Sequence, residues 1–145
     1  MIDSFDGKYA FLSNFFPSPI KDAGITYPTV EHYFQAMKSL DIEERRKIAA
    51  APSPGQAKRL GRKVQLRPEW NDIKETFMYM ALWEKFSDPY LREMLLDTGD
   101  EELVEGNWWG DQYWGVCNGV GKNRLGNILM LIRKNIRLLQ QAEKS

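Results

Sequence analysis

The chain has 145 residues, 43% hydrophobic and 28% charged, which is enough apolar material for one domain with its own core and excludes general disorder. Lys plus Arg and Asp plus Glu both total 20, so no net field draws the chain to nucleic acid or to an anionic membrane. One Cys and one His exclude a disulfide framework and a zinc site built mainly from Cys and His, and they leave any Ser-His-Asp or Cys-His mechanism dependent on His32. The N-terminus carries no basic stretch followed by an apolar run, and the longest apolar run, Phe77 to Trp83, is far too short to span a bilayer. The expected setting is a soluble, reducing and cytoplasmic one, with no membrane partner.

Residues 5–27 read as short extended pieces broken by turns, with Asp22-Ala23-Gly24 as a hairpin turn. Pro28 and Thr29 open a helix through about Leu40, since Pro suits a first turn and Thr caps. A charged helix over 42–50 stops before Pro52. Ser53-Pro54 starts another, ended by Gly61. Lys63 to Arg67 alternates loosely and fits a strand or an extended loop. From Trp70 or Asn71 to Phe86 the pattern is helical, and because 77–83 is apolar nearly all round, this helix is expected to be central and covered on several sides. Asp88-Pro89 caps a helix through Asp97, closed by Gly99, and Leu103-Val104-Glu105 reads as a strand. Leu125, Ile128, Leu129, Ile132, Ile136 and Leu139 follow helical spacing, with Arg133, Lys134 and Arg137 off that face. No repeat or linker interrupts the chain. The expectation is a single α+β domain over 1–145, predominantly α-helical, with a few short strands.

Two segments carry candidate chemistry. On the helix after Thr29, Glu31, Gln35 and Lys38 share one narrow stripe, roughly 80–100° from the apolar stripe of Val30, Phe34 and Met37. That places the polar stripe beside the core, where a cleft wall lies. The same pattern fits a partly solvated flank with a Glu–Lys pair. His32 falls off the stripe and reads as a packed or surface residue.

The second segment is Asp111-Gln112-Tyr113-Trp114-Gly115, leading into Gly119-Val120-Gly121-Lys122-Asn123-Arg124. It is not a P-loop, because Val116 stands at the first Gly position and Asn123 replaces Ser or Thr. Nor is it a dinucleotide fingerprint, because Arg124 stands where the third Gly belongs. What remains is a small-residue turn at a helix start, where backbone amides, Lys122 and Arg124 meet an anion, or where glycines simply turn the chain. Trp108, Trp109, Tyr113 and Trp114 crowd this loop. They suit stacking on a heteroaromatic base, worth roughly 1–3 kcal/mol, or anchoring of the loop itself. Glu31 and Asp111 are the carboxylates that could divide acid and base work at a glycosidic bond.

Taken together, Phe11-Leu12-Ser13-Asn14-Phe15-Phe16-Pro17-Ser18-Pro19, Val30-Glu31-His32-Tyr33-Phe34-Gln35-Ala36-Met37-Lys38, Trp114-Gly115 and Gly121-Lys122-Asn123-Arg124-Leu125-Gly126 resemble the NADAR family, nearest its bacterial YbiA-like branch. Leu60-Gly61-Arg62, Trp70, Lys85-Phe86, Thr98-Gly99 and Leu103-Val104-Glu105 fall between them in the family's order. The resemblance covers nearly the whole chain. It implies a compact, mainly helical α+β fold and N-glycosidase activity needing neither metal nor other cofactor. The implied substrates are ribosylamino-pyrimidine phosphates of riboflavin biosynthesis, releasing ribose 5-phosphate. Other members remove ADP-ribose from guanine, so nucleic acid enters only as an ADP-ribosylated substrate; a non-catalytic module binding ADP-ribose or NAD, and then a purely structural interaction domain, are the alternatives from other classes.

By position, Glu31 matches the glutamate of the family's E-H-x-F-Q helix, Asp111 and Trp114 its D-x-x-W-G segment, and Trp70 the tryptophan opening the next long helix. Lys38 matches a lysine implied to attack the sugar as an imine-forming amine. Asn14, Gln35, Gly121, Lys122, Asn123 and Arg124 complete the expected substrate contacts. The chain departs from the YbiA-like pattern at Val116-Cys117-Asn118 and at Trp108-Trp109, which bears on which base leaves.

Overall fold

Residues 14–85 and residues 1–13 with 86–144 form two compact units in the computed structural model, which describes residues 1–144. In the first unit, strands β1 (Ile20–Asp22) and β2 (Ile25–Tyr27) pair antiparallel, with Ile20 opposite Tyr27. Ala23 and Gly24 join them, both at positive φ (49° and 79°), the twist a two-residue hairpin requires. Helix α1 (Val30–Met37) starts where the Thr29 hydroxyl accepts the His32 amide at 3.1 Å. Asp41 caps α2 (Ile42–Ala49), and Ser53 caps α3 (Pro54–Gly61) with Pro54 in the first turn. Helix α4 spans Trp70–Lys85.

α1 is the centre of this unit. It packs against α2, α3 and α4, and all eight of its residues are buried. The expectation that α4 would be central is overturned. Met80 is 53% exposed, and α4 buries only a face made of Trp70, Met78, Ala81, Leu82 and Lys85. The apolar side left over is partly covered by its own rings, since Tyr79 and Trp83, four residues apart, stack at 6.1 Å. Residues 63–67 form no strand among the described residues. They run back along α1, the Arg67 amide donating to the Lys38 carbonyl at 2.7 Å.

The second unit opens with a 3-10 helix, Gly7–Leu12, where extended pieces were expected, and Phe11 meets Phe86 edge-on at 6.4 Å. Asp88 caps α5 (Pro89–Leu96), accepting the Tyr90 and Leu91 amides. The expected strand at 103–105 shrinks to a single parallel bridge between Leu103 and Ile2, and pairing falls instead on β3 (Gly106–Asn107) with β4 (Val116–Cys117), in parallel. Helix α6 (Arg124–Glu143) buries Leu125, Ile128, Leu129, Ile132 and Ile136, whereas Leu139 is half exposed. Arg133, expected off that face, is buried. Its guanidinium donates to Thr98 Oγ1 at 2.7 Å and to the Glu101 carbonyl at 2.8 Å, closing the turn after α5. The fold is α+β and predominantly helical.

Candidate active site

Within residues 14–85 the structure brings Asn14, Glu31, Gln35 and Lys38 onto α1 and the segment beside it. The Glu31 amide donates to the Asn14 carbonyl at 3.1 Å, which ties that segment to the first turn of α1. The Glu31 side chain is buried, and Gln35, one turn on, donates its Nε2 to Glu31 Oε2 at 2.6 Å. A solvated Glu–Lys flank is therefore not what α1 presents, because α2, α3 and α4 surround it. Burial raises the proton affinity of Glu31 against the opposing pull of the Gln35 bond, Lys58, Lys38 and His32.

Lys38, half-buried at the C-cap of α1, is shifted the other way. Burial lowers its pKa from 10.5, aided by Arg62, Lys58 and Lys74, while Glu31 works against that. On both groups desolvation outweighs their mutual attraction. A carboxyl that holds its proton more tightly and an amine that releases it more readily are both displaced toward neutrality, the range useful for proton transfer and for an amine nucleophile.

Besides the Tyr27 hydroxyl, two buried amide oxygens in this unit, Asn14 Oδ1 and Gln35 Oε1, form no hydrogen bond with the described residues. They differ in surroundings. Gln35 Oε1 presses against the Cα of Gly61, whereas Asn14 engages the protein through Nδ2, 3.5 Å from Met78 Sδ. Trp70 is buried, stacked on Phe77 at 6.0 Å and tilted against Phe34 at 5.2 Å, so part of its ring surface is committed to packing. His32 is structural. Its Nε2 donates to the Ala51 carbonyl at 3.0 Å, and its Nδ1 shares a hydrogen bond with the Thr29 hydroxyl at 2.8 Å. Sequence reasoning missed Lys58, which bears on Glu31 from α3, and Gly61, three residues further along that helix. A three-residue spacing was the available signal, but nothing in it says which face meets α1.

In the other unit, Asp111 Oδ1 accepts the amides of Tyr113 (3.0 Å) and Trp114 (2.9 Å), so this carboxylate shapes the turn that presents Trp114. Asn107 closes the loop by a reciprocal pair with the Asp111 backbone at 2.8 and 3.0 Å, and Trp108, within it, is 87% exposed. The Trp114 and Tyr113 rings meet edge-on at 5.0 Å, and Lys122 Nζ lies 5.5 Å from the Tyr113 ring centre.

Four amides at the end of the glycine-rich turn are taken up by the loop before it. The amides of Lys122, Asn123, Arg124 and Leu125 donate in turn to the carbonyls of Gln112, Gly115, Tyr113 and Trp114, and so are already engaged. A side chain on Gly121 would overlap the Gly115 carbonyl, so this glycine serves close backbone packing. Asn123 takes the left-handed conformation (φ 51°), accepting the Glu105 amide and donating to the Leu103 carbonyl, both at 2.9 Å. The cationic side chains of this segment are Lys122 and Arg124. Among the described residues no three His, Cys, Asp or Glu side chains group to hold a metal ion, and no helix is long and apolar enough to cross a membrane.

This arrangement of helices and short strands is shared with solved proteins. The NMR structure of the Escherichia coli protein YbiA superposes with a TM-score of 0.84, at 42% identity, over 97% of this chain and 89% of that one. The NADAR domain family matches residues 3–137, and the chain belongs to that family. Among its relatives are N-glycosidase YbiA of Escherichia coli (strain K12), 46% identical over 88% of this chain and 82% of that protein. A riboflavin biosynthesis protein of Vibrio vulnificus is 39% identical over 90% of this chain but only 36% of its own length.

Proposed function

We propose that this N-glycosidase hydrolyses the N-glycosidic bond of a phosphorylated ribosyl compound, a ribosylamino-pyrimidine phosphate of riboflavin biosynthesis, releasing ribose 5-phosphate. The enzyme class follows from the family and from relatives named N-glycosidases. The substrate is supported by relatives named for riboflavin biosynthesis. One domain spanning residues 1–145 is part of the same proposal. The observation that carries it is the buried Glu31 carboxyl, held by Gln35 and shifted toward neutrality with Lys38 shifted to meet it.

In this reading the ionised Glu31 stabilises positive charge developing on the ribosyl ring and accepts a proton from the incoming water. The C–N bond breaks as the base leaves with a proton, and the sugar departs with the water-derived hydroxyl. Each such role is worth about 10²–10⁴ in rate. Asp111 is assigned the second carboxylate role, protonating the leaving base. Trp114 offers a stacking surface, Trp70 an apolar wall, and Asn14 Oδ1 an acceptor for a sugar hydroxyl. Gln35 orients Glu31, Gly121 and Asn123 hold the loop in shape, and Lys122 and Arg124 neutralise the phosphate.

Lys38 is assigned the amine that bonds to the anomeric carbon as the base leaves; the ring then opens to an imine, which the water activated by Glu31 hydrolyses to ribose 5-phosphate and the free amine. The test is ribose 5-phosphate release from a ribosylamino-pyrimidine 5′-phosphate, run beside an ADP-ribosylated guanine oligonucleotide. Release from the first alone supports the proposal. Release from the second alone would replace its substrate while keeping the bond class. Borohydride should trap a sugar adduct on wild type and none on Lys38→Arg. Equal trapping would remove Lys38 from the role.

A further inference from the structure

Gly61, the last residue of α3, stands directly against the Gln35 side chain. A Cβ built there would overlap Gln35 Oε1 and lie within 3.0 Å of its Cβ and Cδ, contacts that only a Cα hydrogen tolerates. The same amide places Nε2 2.6 Å from Glu31 Oε2, while its own Oε1 accepts no hydrogen bond from the described residues. With one end of the amide bonded and the other end blocked by backbone, its orientation is set by how closely α3 approaches α1. Both helices pack together in this unit, and Ala57, on the same side of α3, is fully buried.

We infer that Gly61 is a positioning residue for the Glu31 carboxylate, acting through Gln35: its lack of a side chain lets α3 seat the amide so that Nε2 reaches Glu31. The catalytic consequence rests on the reading of Glu31 above. The positioning itself does not, so the two are tested by separate readouts.

The first readout is the carboxyl carbon-13 NMR titration of Glu31 in the full chain, for wild type, Gly61→Ala, Gln35→Ala and the double variant. Glu31 is faced by Lys58 from α3 and by His32 and Lys38 from α1, all of which remain in every variant. Losing the Gln35 donor removes a bond that favours the ionised form, so the midpoint should rise, by about one pH unit for a hydrogen bond to a charged group. Gly61→Ala should reproduce the rise of Gln35→Ala, and the double variant should match Gln35→Ala with nothing added. An unmoved midpoint in Gly61→Ala, or additive shifts in the double, would overturn the inference.

The second readout is turnover. Gly61→Ala should lower kcat about tenfold and move the acid limb of its pH profile upward, with no further loss on the Gln35→Ala background. Multiplying losses would overturn the inference. A Glu31→Gln variant of full activity beside the expected titrations would instead overturn the assigned chemistry and leave the positioning standing. Should Gly61→Ala fail to fold while the double variant folds, the clash is with Gln35 and the inference holds. If both fail, Gly61 serves other packing and the inference falls.

Discussion

Replacing Lys85 by Met should favour the folded state more at neutral and acidic pH than at about pH 10.5. Lys85 ends α4 with its side chain 1% exposed, its ammonium 5.5 Å from the Phe16 ring centre, and burial lowers its pKa from 10.5 to about 7. That displacement corresponds to about 5 kcal/mol held against the folded state when the group is charged. The sign follows from proton counts. Between pH 7 and 10.5 the unfolded chain keeps a proton that the native chain lacks, so this group's contribution to stability climbs with pH and is most unfavourable below 7. Urea unfolding at several pH values from 6 to 10.5 reads the effect as a midpoint. With a slope of about 2 kcal/mol per molar, the Lys85→Met midpoint relative to wild type should be higher at pH 6 than near 10.5 by up to about 2.5 M. Taking the difference between the two proteins cancels the other titrating groups, including Tyr33, whose pKa burial pushes up to about 12. A difference between the two proteins that does not change with pH, or that grows as the pH rises, would refute the reasoning.

Two further substitutions test how residues 86–144 are held. Arg133→Met removes two hydrogen bonds that a buried guanidinium gives to Thr98 and Glu101, and should cost about 2 kcal/mol of unfolding free energy; an unchanged urea midpoint would mean that the turn after α5 does not need them. Gly126→Ala gains about 1 kcal/mol of helix propensity, but its Cβ would overlap the Leu103 carbonyl and the Asn123 amide. The clash should win by about 1–2 kcal/mol, and a raised thermal midpoint would show the contact to be soft.

The parts of the fold decided by neighbours in sequence were legible there. Thr29, Ser53 and Asp88 cap the helices they were expected to start, because a cap bonds amides two or three residues away. Ala23-Gly24 turns the expected hairpin for the same reason. What stayed hidden depends on partners far along the chain. Arg133 reads as off the apolar face because α6 alone does not reveal the Thr98–Glu101 turn that receives it. Helix α4 looked central because residues 77–83 are apolar nearly all round, whereas α1, half its length, is the helix that three others enclose.

The candidate site divides in the same way. The stripe of Glu31, Gln35 and Lys38 follows from helical spacing alone, but its burial comes from α2, α3 and α4. At the glycine-rich turn, composition suggested open amides for a phosphate. The carbonyls of residues 112–115 fold back onto those amides, a long-range pairing that no local pattern encodes.

The central claim is that the Glu31 carboxylate does the chemistry at an N-glycosidic bond. Its most direct test is ribose 5-phosphate release from a ribosylamino-pyrimidine 5′-phosphate by wild type beside Glu31→Gln. The account predicts release by wild type and a loss of at least about 100-fold in the variant, with an unfolding midpoint no lower, since a buried charge with raised proton affinity gives way to a neutral amide of the same shape. Near-wild-type hydrolysis by Glu31→Gln would contradict it.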